Sequence, residues 1–139
     1  MKFAKTIRFD KSDLNIFPLA SEEGELAVVC TFNFYNLKQQ DLNGKIKQAF
    51  SNGFMGCNTF GYSTFVSLVN ISKEELQQLK IDLGTYLVDN FGAPSKEMAE
   101  KAATEEINFM LDLCKNHDIG SLLSLTRTWE DEGIKEKFR

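Results

Sequence analysis

Alternating apolar and polar residues predict two strands near the start of the chain. Over residues 1–9 nearly every second side chain is apolar, with Lys5 as the exception. The same alternation returns more clearly over residues 26–34. A period of two is typical of strands with one buried face. We therefore expect two strands that pair in antiparallel fashion across the polar loop 10–25.

The apolar period then lengthens to that of a helix. Residues 42–50 place apolar side chains on one helical face, and we expect this helix to end near Asn52 and Gly53. Residues 59–71 carry apolar side chains on both faces. This pattern predicts a strand in the middle of a sheet.

Capping signals delimit two further helices. Ser72 and Glu75 form a capping-box pattern, and Gly92 is placed to end the helix that they begin. Ser95 can cap a following helix that runs to about Asn116. Residues 121–129 predict a fourth strand, and we expect residues 130–139 to be weakly helical or frayed.

The order β-β-α-β-α-α-β, with a C-terminal extension, predicts an α+β fold. We expect a single domain over residues 1–139, with three helices on one face of a mainly antiparallel four-stranded sheet. A chain of 139 residues is long enough for one core, and its twelve phenylalanines predict a phenylalanine-rich one.

Composition and charge argue against several classes of protein. The formal net charge is −4 and no basic run exceeds two residues, which argues against binding to nucleic acid or to anionic membranes. No signal-peptide core and no apolar run long enough to span a membrane is present. Three widely spaced cysteines do not suggest a disulfide framework, so the sequence favours the cytoplasm.

The sequence predicts no metal site, cofactor site or catalytic residue. Cys114 and His117 have a spacing suited to two metal ligands, but no second histidine or CxxC pair completes a site. A nucleophilic dyad would have to pair Cys57, the thiol expected to be exposed, with that single histidine. The glycines at 53, 56 and 61 match no nucleotide-binding motif.

Carboxylate pairs occur at Glu105 and Glu106 and at Asp10 and Asp13. We interpret the glutamates as a solvated helix face and the aspartates as turn-capping residues.

The aromatic residues supply the contact candidates. Phe54 and Met55, expected at an exposed turn with Cys57 at its tip, could form part of a protein interface, as could Arg127 and Trp129 on the last strand. Interfaces are enriched in aromatic residues, Met and Arg.

Several segments resemble a family of short alphaproteobacterial proteins of unknown function. They are "TIRFDKSDLNIF", "NGFMGCNTFGYSTFV", "FGAPS", "EEINFMLDLC" and the terminal "EKFR", and together they cover nearly the whole length. The resemblance implies a cytoplasmic bacterial protein associated with redox enzymes or cofactor-attachment proteins. It implies no activity and no catalytic residue.

These observations lead to a first hypothesis and an alternative. The first is a non-catalytic accessory protein that binds a protein partner, or itself, through the turn between Gly53 and Gly61. The alternative is a small-molecule-binding domain or small enzyme with a pocket between sheet and helices. There Arg8 or Arg127 would hold an anionic group, and Tyr62 or Asp13 would be polar anchors.

Overall fold

The computed structural model describes residues 1–8 and 11–139. In chain order its strands are β1 Lys2–Ile7, β2 Ala27–Val28, β3 Phe54–Gly56, β4 Tyr62–Ser63, β5 Phe65–Asn70, β6 Leu122–Glu130 and β7 Gly133–Phe138. Its α-helices are α1 Ser12–Ile16, α2 Gly44–Asn52, α3 Lys73–Phe91 and α4 Lys96–Cys114, and Thr31–Phe34 and Gln39–Asp41 are 3-10 turns. The predicted α+β class is confirmed.

Two antiparallel sheets organise the fold. The larger has four strands in the spatial order β1-β5-β6-β7, so β5 occupies the inner position expected from its apolar residues. The smaller has the order β2-β3-β4 and was not predicted. Strands of two or three residues are too short for a period-two pattern to identify.

The helix boundaries follow the capping signals closely. The Ser72 hydroxyl accepts from the backbone N–H of Glu75, whose carboxylate accepts from the N–H of Ser72. Gly92 has the left-handed φ of 61° that ends α3, and the Ser95 hydroxyl accepts from the N–H of Met98 at the start of α4. Local chemistry therefore sets where α3 and α4 begin.

The second strand was predicted too long. Only Ala27–Val28 is extended, and Cys30 then adopts a left-handed φ of 64° that turns the chain into the 3-10 segment. The turn directs the Val29 carbonyl and the Thr31 hydroxyl at the buried Arg127 side chain. Its expected antiparallel pairing with β1 reduces to a bridge between Lys5 and Leu26, on the edge of β1 opposite β5, beside hydrogen bonds that join Thr6 to Gly24 and Glu25.

The strand predicted over residues 59–71 is interrupted. Thr64 separates β4, which belongs to the smaller sheet, from β5, which belongs to the larger one. The Thr64 hydroxyl donates a hydrogen bond to the Asp13 carboxylate over 2.8 Å. The end of the strand predicted over residues 1–9, and Asp10, lie outside the described residues.

The C-terminal tail is a strand rather than a frayed helix. Residues of β7 pair with β6 from Gly133 opposite Glu130 to Phe138 opposite Leu125. Gly133 has a φ of 121°, which a hairpin turn tolerates when the residue is glycine. The prediction failed because a strand at a sheet edge is stabilised by its neighbour, which the local sequence does not report.

The core is rich in phenylalanine, as predicted. Phe3, Phe17, Phe34, Phe50 and Phe54 are buried in one cluster. Among the described residues, no helix is long and apolar enough to cross a membrane.

Candidate functional site

The segment from Gly53 to Gly61 is mostly interior. Phe54 and Met55 are fully buried because β3 is the middle strand of the smaller sheet, and Cys57 is also buried. The prediction that these residues form an exposed tip is therefore wrong. Only the far end of the segment, from Asn58 to Phe60, reaches the surface.

A single carboxylate holds that far end in place. The buried Glu25 side chain accepts hydrogen bonds of 2.6–2.8 Å from the N–H groups of Glu22, Asn58 and Thr59 and from the Thr59 hydroxyl. Such a network fixes a turn more firmly than its glycines would suggest. The turn is therefore a rigid wall between the loop before β2 and the start of β4.

Two glycines of the segment serve close packing rather than ligand approach. A Cβ on Gly56 would lie 2.7 Å from the Glu25 carboxyl carbon, and one on Gly61 would lie 2.5 Å from the backbone of Ala20. Real Cβ atoms are not found at such distances, so a Cβ at Gly61 would force the backbone of Ala20 to move, and one at Gly56 would displace the Glu25 side chain.

Phe60 has an unusual backbone and a specific aromatic partner. Its φ of 61° lies in the left-handed region, which non-glycine residues seldom occupy. The ring stacks on Tyr86 of α3 with centroids 4.4 Å apart and planes 8° apart. Strained backbone held by surrounding contacts is commonest at functional sites, so the outlier draws attention to this end of the turn.

The rigid turn and α3 enclose a surface depression that we call the acidic cleft. It consists of two adjoining cavities of about 570 and 370 Å³, which share Cys57, Asn58 and Asp82. In the part of the chain that the structure describes, no lysine or arginine lines these two cavities. The acidic lining residues are Glu22, Glu23, Glu25, Glu75, Asp82 and Asp89.

Three of these carboxylates recur regularly along α3. Glu75, Asp82 and Asp89 are seven residues apart, and seven helical residues rise about 10.5 Å. Tyr86 and Asn90 extend the same wall. The cleft thus presents a row of negative charge beside an aromatic stack.

The cysteine thiols are poorly suited to nucleophilic chemistry. Burial raises the pKa of Cys57 well above its usual value, although this residue borders the cleft. Burial likewise raises the pKa of Cys30 to about 11, partly offset by the charge of Arg127. Both thiols are therefore protonated at neutral pH, and a protonated thiol is a weak nucleophile.

Arg127 is the most thoroughly engaged of the predicted contact residues. It is 1% exposed, and its guanidinium donates to the carbonyls of Val29, Ala49 and Phe50 and to the Thr31 hydroxyl. Its expected role as a surface contact is therefore wrong. It ties β6 to the C-terminal end of α2 and to the turn after β2.

The remaining predicted residues lie at separate places. Trp129 is half-buried against Phe50, with ring centroids 5.9 Å apart. The Tyr62 hydroxyl accepts from Asn33 over 3.3 Å. Asp13 and Arg8 bond within the fold, Asp13 to Thr64 and the Arg8 guanidinium to the Ser21 carbonyl.

Arg127 and Trp129 therefore line the same cavity. Arg8, Asp13 and Tyr62 are not among the described lining residues of that cavity or of the acidic cleft. The cleft carboxylates were missed as a site. The seven-residue spacing on α3 was visible in the sequence, whereas the opposing Glu22 and Glu23 could be found only from the fold.

Comparison with known proteins places the chain in a family. The model of a family of unknown function, DUF6505, matches residues 1–139. The chain belongs to this family. The match confirms the predicted membership of a family of unknown function over the full length, and it transfers no activity because the family is described as one of unknown function. No curated protein and no solved structure matches the chain.

Proposed function

We propose that this chain is a non-catalytic interaction protein that binds a basic segment of a partner protein in the acidic cleft. The observation that carries the proposal is the charge of the lining, which has six acidic side chains and no lysine or arginine in the two cavities. Complementary charge steers association and selects partners. A like-charged second copy of this acidic chain is a poorer occupant for the same reason.

The geometry of the cleft supports a protein segment rather than a small cation. Carboxylates about 10.5 Å apart on α3 match cationic side chains spaced along an extended strand or a helix. The stacked Phe60 and Tyr86 rings lie beside Asp89 and offer a surface over which a guanidinium can lie flat. We therefore expect arginine to be preferred over lysine.

The rigidity of the cleft supports tight docking. The Glu25 network holds the turn and α3 is capped at both ends, so little ordering accompanies binding. The protonated state of Cys57 supports a non-catalytic role for the one thiol that borders the cleft.

We also propose a cytoplasmic location in bacteria. Cys30, Cys57 and Cys114 are free thiols, which suits a reducing compartment. The alphaproteobacterial origin, and a redox or cofactor-dependent enzyme as the partner, rest on the resemblance of the sequence segments alone.

Binding of a fluorescein-labelled oligoarginine peptide, followed by fluorescence anisotropy, tests the proposal. We expect saturable binding at low salt that weakens as salt rises. The double variant Asp82→Asn/Asp89→Asn should weaken it about five- to tenfold, because each partly exposed pair is worth up to ~1 kcal/mol. Glu75 is left intact because it also caps α3.

A control variant with the same change of net charge separates the effect of the cleft carboxylates on affinity from the effect of overall charge. Glu74→Gln/Asp112→Asn changes the formal charge equally at exposed positions that do not line the cleft. We expect it to alter affinity by less than about twofold. Equal weakening by the two double variants, or no saturable binding, would overturn the proposal. An oligolysine peptide of equal length tests the preference for arginine.

A further inference from the structure

A second cavity, chemically opposite to the acidic cleft, lies between α2 and β6. Its volume is about 340 Å³, at the low end of the range for small-molecule sites. Leu42, Phe50 and Trp129 supply its apolar surface. This cavity lies between a helix and a sheet, near two residues that the sequence had suggested for ligand contact.

The lining of this cavity is cationic. Among the described residues it includes Lys47 and Arg127 and no carboxylate, although the chain as a whole is acidic. The Lys47 side chain is exposed, and no ion pair or hydrogen bond of its ammonium group is found among the described residues. A free ammonium group at the mouth of a cavity is available to an anion.

Arg127 contributes charge rather than a contact at the base of the cavity. Its guanidinium is committed to acceptors of the fold, and the two ion pairs found among the described residues do not include it. Two carboxyl groups offset part of its charge, Glu136 through the Thr31 hydroxyl and Glu106 over a longer distance. The cavity therefore has a partly offset positive charge below it and the Lys47 charge at its mouth.

We propose that this cavity binds a small aromatic carboxylate. The ring would lie against Trp129 and Phe50, and the carboxylate would meet the Lys47 ammonium group and the Ser51 hydroxyl. Burial of a ring against Trp129 supplies apolar contact, and the ammonium supplies selectivity for an anion. This site is separate from the acidic cleft, so it stands or falls independently of the proposed function.

The chain carries a built-in reporter for this site. Trp129 is its single tryptophan, so intrinsic tryptophan fluorescence reports on this cavity alone. Benzoate is the probe, and benzyl alcohol and benzylamine are the neutral and cationic controls of similar shape. We expect benzoate to change the fluorescence saturably in the submillimolar to millimolar range, and the two controls to cause no saturable change.

Variants of two lysines on α2 test which side chain supplies the positive charge that binds the carboxylate. Lys47→Gln should weaken benzoate binding about fivefold, as expected for one partly solvated ion pair. Lys45→Gln removes an exposed charge outside the cavity and should leave affinity within about twofold of the unmodified chain.

Three results would overturn the proposal. They are no saturable response to benzoate, equal binding of benzyl alcohol, and equal effects of the two lysine variants. Phenyl phosphate serves as a further arm: tighter binding of it than of benzoate would show a site for aromatic phosphates and would reject the carboxylate assignment. Isothermal titration of the unmodified chain with benzoate checks that the fluorescence change reflects binding, and no heat of binding at the same concentrations would overturn the proposal.

Discussion

Replacing Arg127 with methionine is expected to lower the free energy of unfolding by about 3–4 kcal/mol. The change leaves the carbonyls of Val29, Ala49 and Phe50 and the Thr31 hydroxyl without their donor in the interior. Each buried acceptor left unsatisfied costs roughly 1–3 kcal/mol, so the four together cost about 5 kcal/mol near the low end of that range. Methionine fills part of the space and recovers about 1–2 kcal/mol through apolar burial. The expected loss is a large fraction of a typical domain stability of about 5–15 kcal/mol.

Urea denaturation followed by circular dichroism measures this loss. With an m-value of about 2 kcal/mol/M, a loss of this size lowers the midpoint by about 1.5–2 M. Arg127→Lys keeps the charge but loses the planar fork, so we expect an intermediate loss of about 2 kcal/mol. Arg139→Met, at an exposed position, should change stability by less than about 0.5 kcal/mol.

This prediction is refuted if the free energy of unfolding of Arg127→Met lies within about 1 kcal/mol of that of the unmodified chain. It is also refuted if Arg127→Lys is as stable as the unmodified chain, because a point charge cannot replace a fork that reaches several acceptors. If Arg127→Met does not fold, the lysine variant still decides between these outcomes.

Two further predictions concern Glu106 and the glycines. Burial, followed by the charge of Glu136, raises the pKa of Glu106 from 4.5 to about 7, so the folded state holds this proton more tightly than the unfolded state. This stabilisation is complete below pH ~4.5 and is lost as pH rises to ~7, by about 1–2 kcal/mol because the carboxyl is partly solvated. As pH rises across this range, the urea midpoint should therefore fall less for Glu106→Gln than for the unmodified chain. Parallel pH profiles of the two proteins would contradict the prediction. Gly61→Ala should lower the free energy of unfolding by about 3 kcal/mol because its Cβ would meet the Ala20 backbone. Gly84→Ala, within α3 and with only ordinary contacts to Glu100 of α4, should raise it by about 0.5–1 kcal/mol, and thermal unfolding measures both changes. Equal melting temperatures for the two glycine variants would refute that contrast.

Predictions from local signals succeeded where the chain itself supplies the stabilising partner. The capping box of α3 joins Ser72 to Glu75 three residues away, and the helix begins where the pattern indicates. The strand over residues 121–129 was also predicted nearly to the residue, because Leu123, Leu125 and Trp129 alternate with Ser124, Thr126 and Thr128. These features depend on spacings that are visible in the sequence.

Predictions about exposure failed where a distant segment decided the environment. Phe54 and Met55 resemble a surface turn between glycines, but pairing on both edges of β3 buries them. Arg127 resembles a surface cation, but the C-terminal end of α2 and the turn after β2 surround it. β2 lies 27 to 29 residues before its partners in β3, and Arg127 bonds to residues more than 70 positions away, so no local pattern identifies these partners.

The sequence by itself determined the α+β class, the caps of α3 and α4, the phenylalanine-rich core and the acidic overall charge. Tertiary structure alone decided where that charge is concentrated. It brings Glu22 and Glu23 opposite the Asp82 row of α3, and it places Lys47 above Arg127 in a separate cavity. The physical reason is that propensity and capping act over a few residues, whereas a cleft forms only when distant surfaces meet. The segment from Gly53 to Gly61 therefore provides one wall of such a cleft, and its partner wall is α3.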